Sequence, residues 1–314
     1  MKRCREMMLA ILLGLILPLL LLMPQQSDVK QTEELFVRVL TEDGVQEMDI
    51  EEYLVGVLLK EMPASFEIEA MKAQAVAARS YTIYNVENGT KHNTADICTL
   101  PNCCQGYVTP SEFLSAGNDP VALIKICKAV RATRGQVLLF DNLVIEATYF
   151  SASGGRTEDA QAVWGVDIPY LQAVDSEEDD AANIKTFTFA EFCESLGLPI
   201  ADISIGDPVY TNGRGIENVE INGTVFTGNQ LREYLDLRST CITFSVDGGE
   251  VKVITYGFGH RVGMSQYGAN SMAKRGCDYK QILTHYYSGV NIGRAELTNS
   301  ARWDKMSRNI NNEG

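Results

Sequence analysis

The chain has 314 residues, 45% of them hydrophobic and 22% charged, which is the composition of a protein with a buried core rather than of a disordered one. Its formal charge of −14 at pH 7 offers no basic footprint for nucleic acid or anionic headgroups, so a nucleic-acid partner is excluded from the expected functions. Length permits one domain or two and does not decide between them.

From Met7 to Met23 the sequence reads MMLAILLGLILPLLLLM, uncharged and preceded by Lys2, Arg3 and Arg5. As a helix, these residues rise roughly 25 Å, enough to cross a bilayer core with some local thinning. The exit, Leu22-Met23-Pro24-Gln25-Gln26, lacks the small-residue pair of a signal-peptide cleavage site, so the segment reads as an uncleaved transmembrane anchor. Positive residues stay cytoplasmic, which makes residues 1–6 a cytoplasmic tip and places everything after Pro24 outside the cell membrane. Residues 24–34 are a polar tether, residues 35–292 the extracytoplasmic domain, and residues 293–314 a tail.

The domain is expected to be α+β and compact, with core helices, hairpins and a β-rich subregion. Leu35 to Leu40 reads as a strand turned back at Glu42-Asp43-Gly44. Asp49 and Glu52 resemble a capping box for a helix that ends at Met62-Pro63, because the residue before proline is pushed out of the α region. A second helix, from about Phe66 to Val86, carries Ala70, Ala73, Ala75, Ala77 and Ala78. Side chains this small admit close neighbours, so it reads as the central core helix. Thr90 to Tyr107 is a loop. A helical region over Pro120–Ala132 leads into a strand over Gly135–Phe140, with Val144–Tyr149 as its hairpin partner. Residues 175–183, DSEEDDAAN, form an acidic surface loop. Val209 to Val253 holds short alternating segments broken by Asn-Gly and Asp-Gly turns, the β-rich subregion. Helices over Ser265–Arg275 and Tyr279–Tyr287 follow, and Arg302–Gly314 reads as frayed.

Eight cysteines occur, at 4, 98, 103, 104, 127, 193, 241 and 277. The odd number beyond the anchor and the crowding of three into 98–104 argue against a regular disulfide framework. His92, Cys98 and Cys104, with Cys103 as a possible fourth, are ligands that suit Zn²⁺; a disulfide within the cluster is the alternative.

Three blocks carry a resemblance. Glu52-Tyr-Leu-Val-Gly-Val-Leu-Leu-Lys-Glu61-Met-Pro-Ala64, followed by Glu69-Ala-Met-Lys-Ala-Gln-Ala-Val-Ala-Ala-Arg79-Ser-Tyr81, resembles the stage II sporulation protein D family. So do Tyr149-Phe-Ser-Ala-Ser-Gly-Gly-Arg-Thr-Glu158 with Trp164-Gly165 and Pro169-Tyr-Leu171, and Gly257-Phe-Gly-His-Arg-Val-Gly-Met-Ser-Gln-Tyr-Gly-Ala269 with His285-Tyr-Tyr287. The resemblance spans about Leu35 to Ile292. It implies a lytic transglycosylase that cleaves peptidoglycan glycan strands freed of stem peptides, leaving 1,6-anhydro-N-acetylmuramic acid ends. It also implies work during engulfment in sporulation, beside a sporulation amidase and a membrane partner. Members of the family can instead activate wall amidases without cutting.

Glu61 is the candidate catalytic acid. It falls at the C-terminal end of a predicted helix, where the macrodipole disfavours a carboxylate and raises its pKa. Hydrolases pair such an acid with a second carboxylate, whereas a lytic transglycosylase uses the sugar's own 6-hydroxyl in place of water. The resemblance assigns Arg79 to substrate or to orienting Glu61, the alternatives being a structural ion pair with Glu69 or an exposed helix position. It also assigns substrate contacts to Tyr149, Ser151, Ser153, His260, Ser265 and Gln266, although His260 by itself reads as a hydrogen-bonded structural histidine. The family block usually reads Gly-His-Gly-Val-Gly; here Arg261 replaces the middle glycine, which bears on backbone geometry and substrate fit. In some clostridial members the histidine and cysteine arrangement is a metal site, which implies a structural zinc and no metal in the chemistry.

Overall fold

The computed structural model describes residues 35–89, 92–178 and 182–295. The tip, the anchor at 7–23, the tether and the frayed end at 302–314 lie outside the described residues. Among the described residues, no helix is long and apolar enough to cross a membrane.

The protein mixes helices with small sheets. Strands β1 (Phe36–Thr41) and β2 (Gly44–Asp49) form an antiparallel hairpin, and β3 (Ile97–Cys98) pairs in parallel with β1. Helix α1 (Ile50–Glu61) begins where the Asp49 carboxylate accepts from the Glu51 and Glu52 N–H groups, at 2.8 and 3.2 Å, and stops at extended Met62 before Pro63. Helix α2 (Ile68–Asn88) is the centre of the larger core. Its alanines at 70, 73, 75, 77 and 78 are fully buried, and their small size allows α1, α4 (Pro120–Ala132), α8 (Gln266–Lys274), α9 (Tyr279–Tyr286) and β4 (Gln136–Phe140) to close in around it. Between α2 and α4 lies the short α3 (Pro110–Ser115).

β4 is flanked by β5 (Leu143–Val144) and β16 (Asn291–Arg294), both antiparallel. The hairpin expected from Val144 to Tyr149 is therefore limited to its first residues. Tyr149 instead starts β6 (Tyr149–Phe150), which pairs in parallel with β15 (Met264–Ser265). The C-terminal strand passes the boundary drawn at 292: Gly293 and Arg294 pair with Val137 and Gln136.

After β7 (Gly155–Arg156), α5 (Ala160–Trp164) and β8 (Asp175–Ser176), a second core appears. It is built on β9 (Asn183–Thr188), α6 (Phe189–Ser195), β10 (Val209–Tyr210), β11 (Ile216–Ile221), β12 (Thr224–Thr227), α7 (Gly228–Tyr234), β13 (Cys241–Asp247) and β14 (Glu250–Tyr256). Phe192, Ile221, Leu231, Val251 and Val253 are its fully buried members. This is the anticipated β-rich subregion, but it starts at Asn183 and includes two helices.

Arg79 and Arg261 are the largest fully buried side chains. Arg79 on α2 gives Glu51 a two-toothed ion pair, at 2.6 and 3.0 Å, and donates to the Gln136 carbonyl at 3.0 Å. Glu51 also accepts from the Gly135 N–H at 3.1 Å. The arginine therefore ties α1, α2 and the start of β4 together inside the core and does not face substrate, because its neighbours leave it no path to solvent. Its partner is Glu51 rather than Glu69, whose carboxylate holds Lys72 and the Tyr279 N–H.

Candidate active site

A cleft of about 880 Å³ opens between the end of α1, the 101–106 loop, the 146–151 segment, the end of α5, α7 and the 258–260 turn. Glu61 lies in it as the last residue of α1. Its Oε1 accepts the Gly106 N–H at 2.7 Å, and its Oε2 lies 3.4 Å from the Gln266 amide nitrogen. One oxygen is thus pinned by backbone while the other is held more loosely. Burial pushes the Glu61 pKa up, only partly offset by the hydrogen bonds from Gly106 and Gln266 and by Lys60. The direction matches expectation, but the cause is desolvation rather than the helix dipole.

The loop carrying Gly106 is itself anchored. Gln105 is buried, and its amide oxygen accepts from Thr82 Oγ1 at 2.9 Å and Tyr53 OH at 3.2 Å, while its amide nitrogen donates to Tyr149 OH at 2.9 Å. Tyr149 lines the cleft, and burial, with the nearby Glu61 charge adding to it, raises the phenol pKa. It stays a neutral phenol.

His260 is fixed as a neutral ring. Nδ1 accepts from the Val262 N–H at 3.1 Å, so Nε2 carries the proton and donates to the Tyr149 carbonyl at 3.2 Å. Burial pushes its pKa down to about 4. The ring packs against Phe150 and Trp164, with centroids 5.6 and 5.5 Å away. It shapes the cleft and carries no mobile proton there.

Ser151 lines the cleft, its carbonyl accepting the Tyr267 N–H at 3.0 Å. Ser153 and Ser265 are fully buried and do not line it. Both hydroxyls donate to Glu178, at 2.8 and 2.5 Å, as do the N–H groups of Ser153 and Gly154. The acidic stretch assigned to the surface thus sends one carboxylate inward, which joins the glycine turn at 153–155 to the N-terminus of α8. The two serines hold the wall of the site rather than contact substrate.

Arg261 adopts the left-handed conformation, φ 65°, that glycine favours. Its buried guanidinium meets Glu158 at 3.2 Å and donates to the carbonyls of Ser153 at 2.7 Å, Arg156 at 2.8 Å and Gly213 at 2.6 Å. The glycine's backbone shape is kept, and the side chain points away from the cleft to bind the turn before β11.

Several cleft residues escape sequence reading. Trp164 and Phe258 present exposed rings, 42% and 50% accessible, and Arg232 of α7 contributes a cation. Trp164 stands inside one of the three resembling blocks, and the left-handed Gly165 that caps α5 is its signal. Glu146 is a second carboxylate on the cleft, but its charge acts on Tyr81, Tyr84 and Tyr170 rather than on Glu61.

On one wall the four expected metal ligands converge. The ligand atoms of His92, Cys98, Cys103 and Cys104 lie within 4.8 Å of one another. His92 Nε2 is 3.4 Å from Cys104 Sγ and 3.7 Å from Cys103 Sγ, and the two sulfurs are 4.0 Å apart. A tetrahedral zinc site has nitrogen–sulfur and sulfur–sulfur edges of about 3.6 and 3.8 Å. The donor set fits zinc.

Residues 41–140 match the family model described as stage II sporulation protein. The chain is 37% identical over 263 residues to stage II sporulation protein D of Bacillus amyloliquefaciens, covering 81% of this chain and 76% of that one. The Bacillus subtilis protein of the same name is also 37% identical, with 81% and 77% covered. The amidase enhancer of Bacillus subtilis is 27% identical over 299 residues, covering 76% of this chain and 40% of the enhancer.

Proposed function

Because the chain belongs to the stage II sporulation protein D family, we propose that it is a membrane-anchored lytic transglycosylase of sporulation, cutting peptidoglycan glycan strands that have lost their stem peptides. The observation that carries this reading is Glu61: a half-buried carboxyl with raised pKa, pinned at one oxygen, on a cleft with exposed aromatic rings. Protonated Glu61, the form its partial burial favours, gives its proton to the glycosidic oxygen as the bond to muramic C1 breaks. The muramic 6-hydroxyl attacks C1, and its proton passes to the Glu61 carboxylate, which restores the acid. No water is consumed, and one carboxylate serves both steps. Trp164, Phe258 and the hydroxyl of Ser151 offer stacking and hydrogen-bonding surfaces for the sugars. A zinc ion held by His92, Cys98, Cys103 and Cys104 would supply structural cross-linking only. Cys104 is two residues from Gly106, so these ligands brace the loop that presents its N–H to Glu61. The anchor at residues 7–23 places the domain outside the membrane, beside an amidase and a membrane partner.

The test is mass spectrometry of products that the fragment from Ser27 onward releases from denuded peptidoglycan. Anhydromuramic ends are expected, and Glu61→Gln should lose about 10²–10⁴-fold in rate while still binding glycan. Products with reducing ends alone, or a Glu61→Gln variant that cuts at the normal rate, would overturn the proposal. The likeness to the amidase enhancer favours a second reading, a glycan-binding activator of an amidase. That reading gains if an amidase speeds up equally with wild type and Glu61→Gln.

A further inference from the structure

Cations are outnumbered in this protein, 27 against 41 acidic residues, and those that are buried have partners: Arg79 has Glu51 and Arg261 has Glu158. Arg232 is different. It lines the cleft, is half-buried, and its guanidinium makes no hydrogen bond or ion pair with any described residue. Its direction is set by the fold, because the adjacent Leu231 is fully buried in the second core and anchors α7 at this point. Burial lowers the Arg232 pKa, and its charge reaches His260, which also lines the cleft. Phe258 also presents its ring to the cleft, with the Arg238 guanidinium 5.6 Å from the ring centre. Arg232 and Arg238 come from the same stretch of the second core, and Glu61 and Glu146 from the first.

A partly desolvated, unpaired cation costs free energy in the empty protein, and that cost is recovered only when an anion arrives. Neutral sugars do not supply one. In muramic acid the lactyl group ends in a carboxylate when no peptide is attached and in a neutral amide when one is. We infer that Arg232 is the specificity-determining residue of the cleft, a receptor for the free lactyl carboxylate that favours peptide-free muramic glycan over amidated or unsubstituted glycan. The inference rests on the glycan reading above and locates its preference for denuded strands in one side chain.

Binding separates this inference from the cleavage proposal. The Glu61→Gln protein, from Ser27 onward, is titrated by calorimetry with a peptide-free muramic tetrasaccharide, with the same sugar after its lactyl carboxylates are converted to methylamides, and with chitotetraose. The free carboxylate should bind about tenfold or more tightly than either neutral ligand, the range of a charge-assisted hydrogen bond, and the advantage should shrink as salt is raised. Adding Arg232→Gln should bring the ratio close to one while leaving the neutral affinities unchanged, and Arg232→Lys should restore part of it. Equal binding of charged and neutral sugars by the Glu61→Gln parent, or an Arg232→Gln change that weakens all three alike, would overturn the inference even if anhydromuramic products are found. Absence of those products alongside a preserved charge preference would overturn the cleavage reading and leave Arg232 as an anion receptor.

Discussion

Gly106→Ala isolates the placement of Glu61 from its chemistry. A methyl group built at position 106 lies 2.7 Å from Glu61 Oε1 and 2.8 Å from Lys60 Cγ. Lys60 is exposed and can swing aside, but Glu61 Oε1 is the oxygen pinned by this residue's own N–H. Ordinary carbon–oxygen contact needs about 3.3 Å or more, so Oε1 must retreat by roughly 0.6 Å. Misplacement of a reacting group by about 1 Å costs on the order of 10²-fold, which puts the expected loss in kcat at about 10- to 100-fold with little change in KM. The backbone at 106 is not among the positive-φ glycines, so alanine fits the chain conformation and stability should stay within about 1 kcal/mol. The Gly106 bond lowers the Glu61 pKa, so weakening it should also move the alkaline limb of the pH–rate profile upward. Product release from denuded peptidoglycan across pH, with thermal melts of the same samples, reads all three. A variant that retains kcat within twofold, or one that unfolds, would refute the assignment of Gly106 as the residue that sets Glu61.

Other expectations concern stability and metal. His260 is held neutral, with its pKa down at about 4 against an ordinary value of about 6.5, so protonation opposes folding. Stability should be full above pH 6.5 and decline, by about 3 kcal/mol, as pH falls toward 4. Urea titrations should show His260→Gln with a flatter profile in that window, and an unchanged slope would remove His260 as the cause. About one zinc per chain should copurify, and His92→Ala with Cys98→Ala should lower the melting temperature as well as activity; a metal-free protein under reducing conditions with wild-type stability in the double variant would rule the site out. Gln74 is fully buried on α2 with neither amide atom hydrogen-bonded among the described residues, so Gln74→Met should stabilise by about 1 kcal/mol. A lower urea midpoint for that variant would mean the amide is solvated.

What can be read from the chain follows the range of the interactions involved. Helix ends set by local chemistry are legible: Asp49 and Pro63 bracket α1, and α4 runs over the residues expected from its N-terminal proline. Glu61 is placed by the resembling block around it, and His92, Cys98, Cys103 and Cys104, which are close in the chain, converge in the fold. Pairings across long stretches are not legible. The union of β6 with β15 joins residues 115 apart and leaves no mark on either segment, so in sequence Tyr149 goes to the nearest hairpin. Glu178 lies in an acidic run that looks solvated, and only the fold supplies the hydroxyls and N–H groups it accepts from. Arg79 and Arg232 look alike in sequence. One is consumed by Glu51, the other faces an open cleft, and only tertiary placement separates them.

Arg261 has a consequence for the order in which mutations can accumulate. Its guanidinium satisfies the Glu158 carboxylate and three backbone carbonyls, so returning it to glycine would relax the backbone at φ 65° and leave a carboxylate buried without its cation. Losing one partner of such a buried pair typically costs about 3–5 kcal/mol. Glu158 also accepts from Thr211 and the Gly215 N–H, and beside Gly213 and Gly215 there is no room for a methyl group, let alone a replacement side chain. Arg261 and Glu158 are therefore coupled: a change at either one alone leaves the other as a buried charge without its partner. Neither residue can be exchanged first without that cost, so changes at this pair are expected to come together.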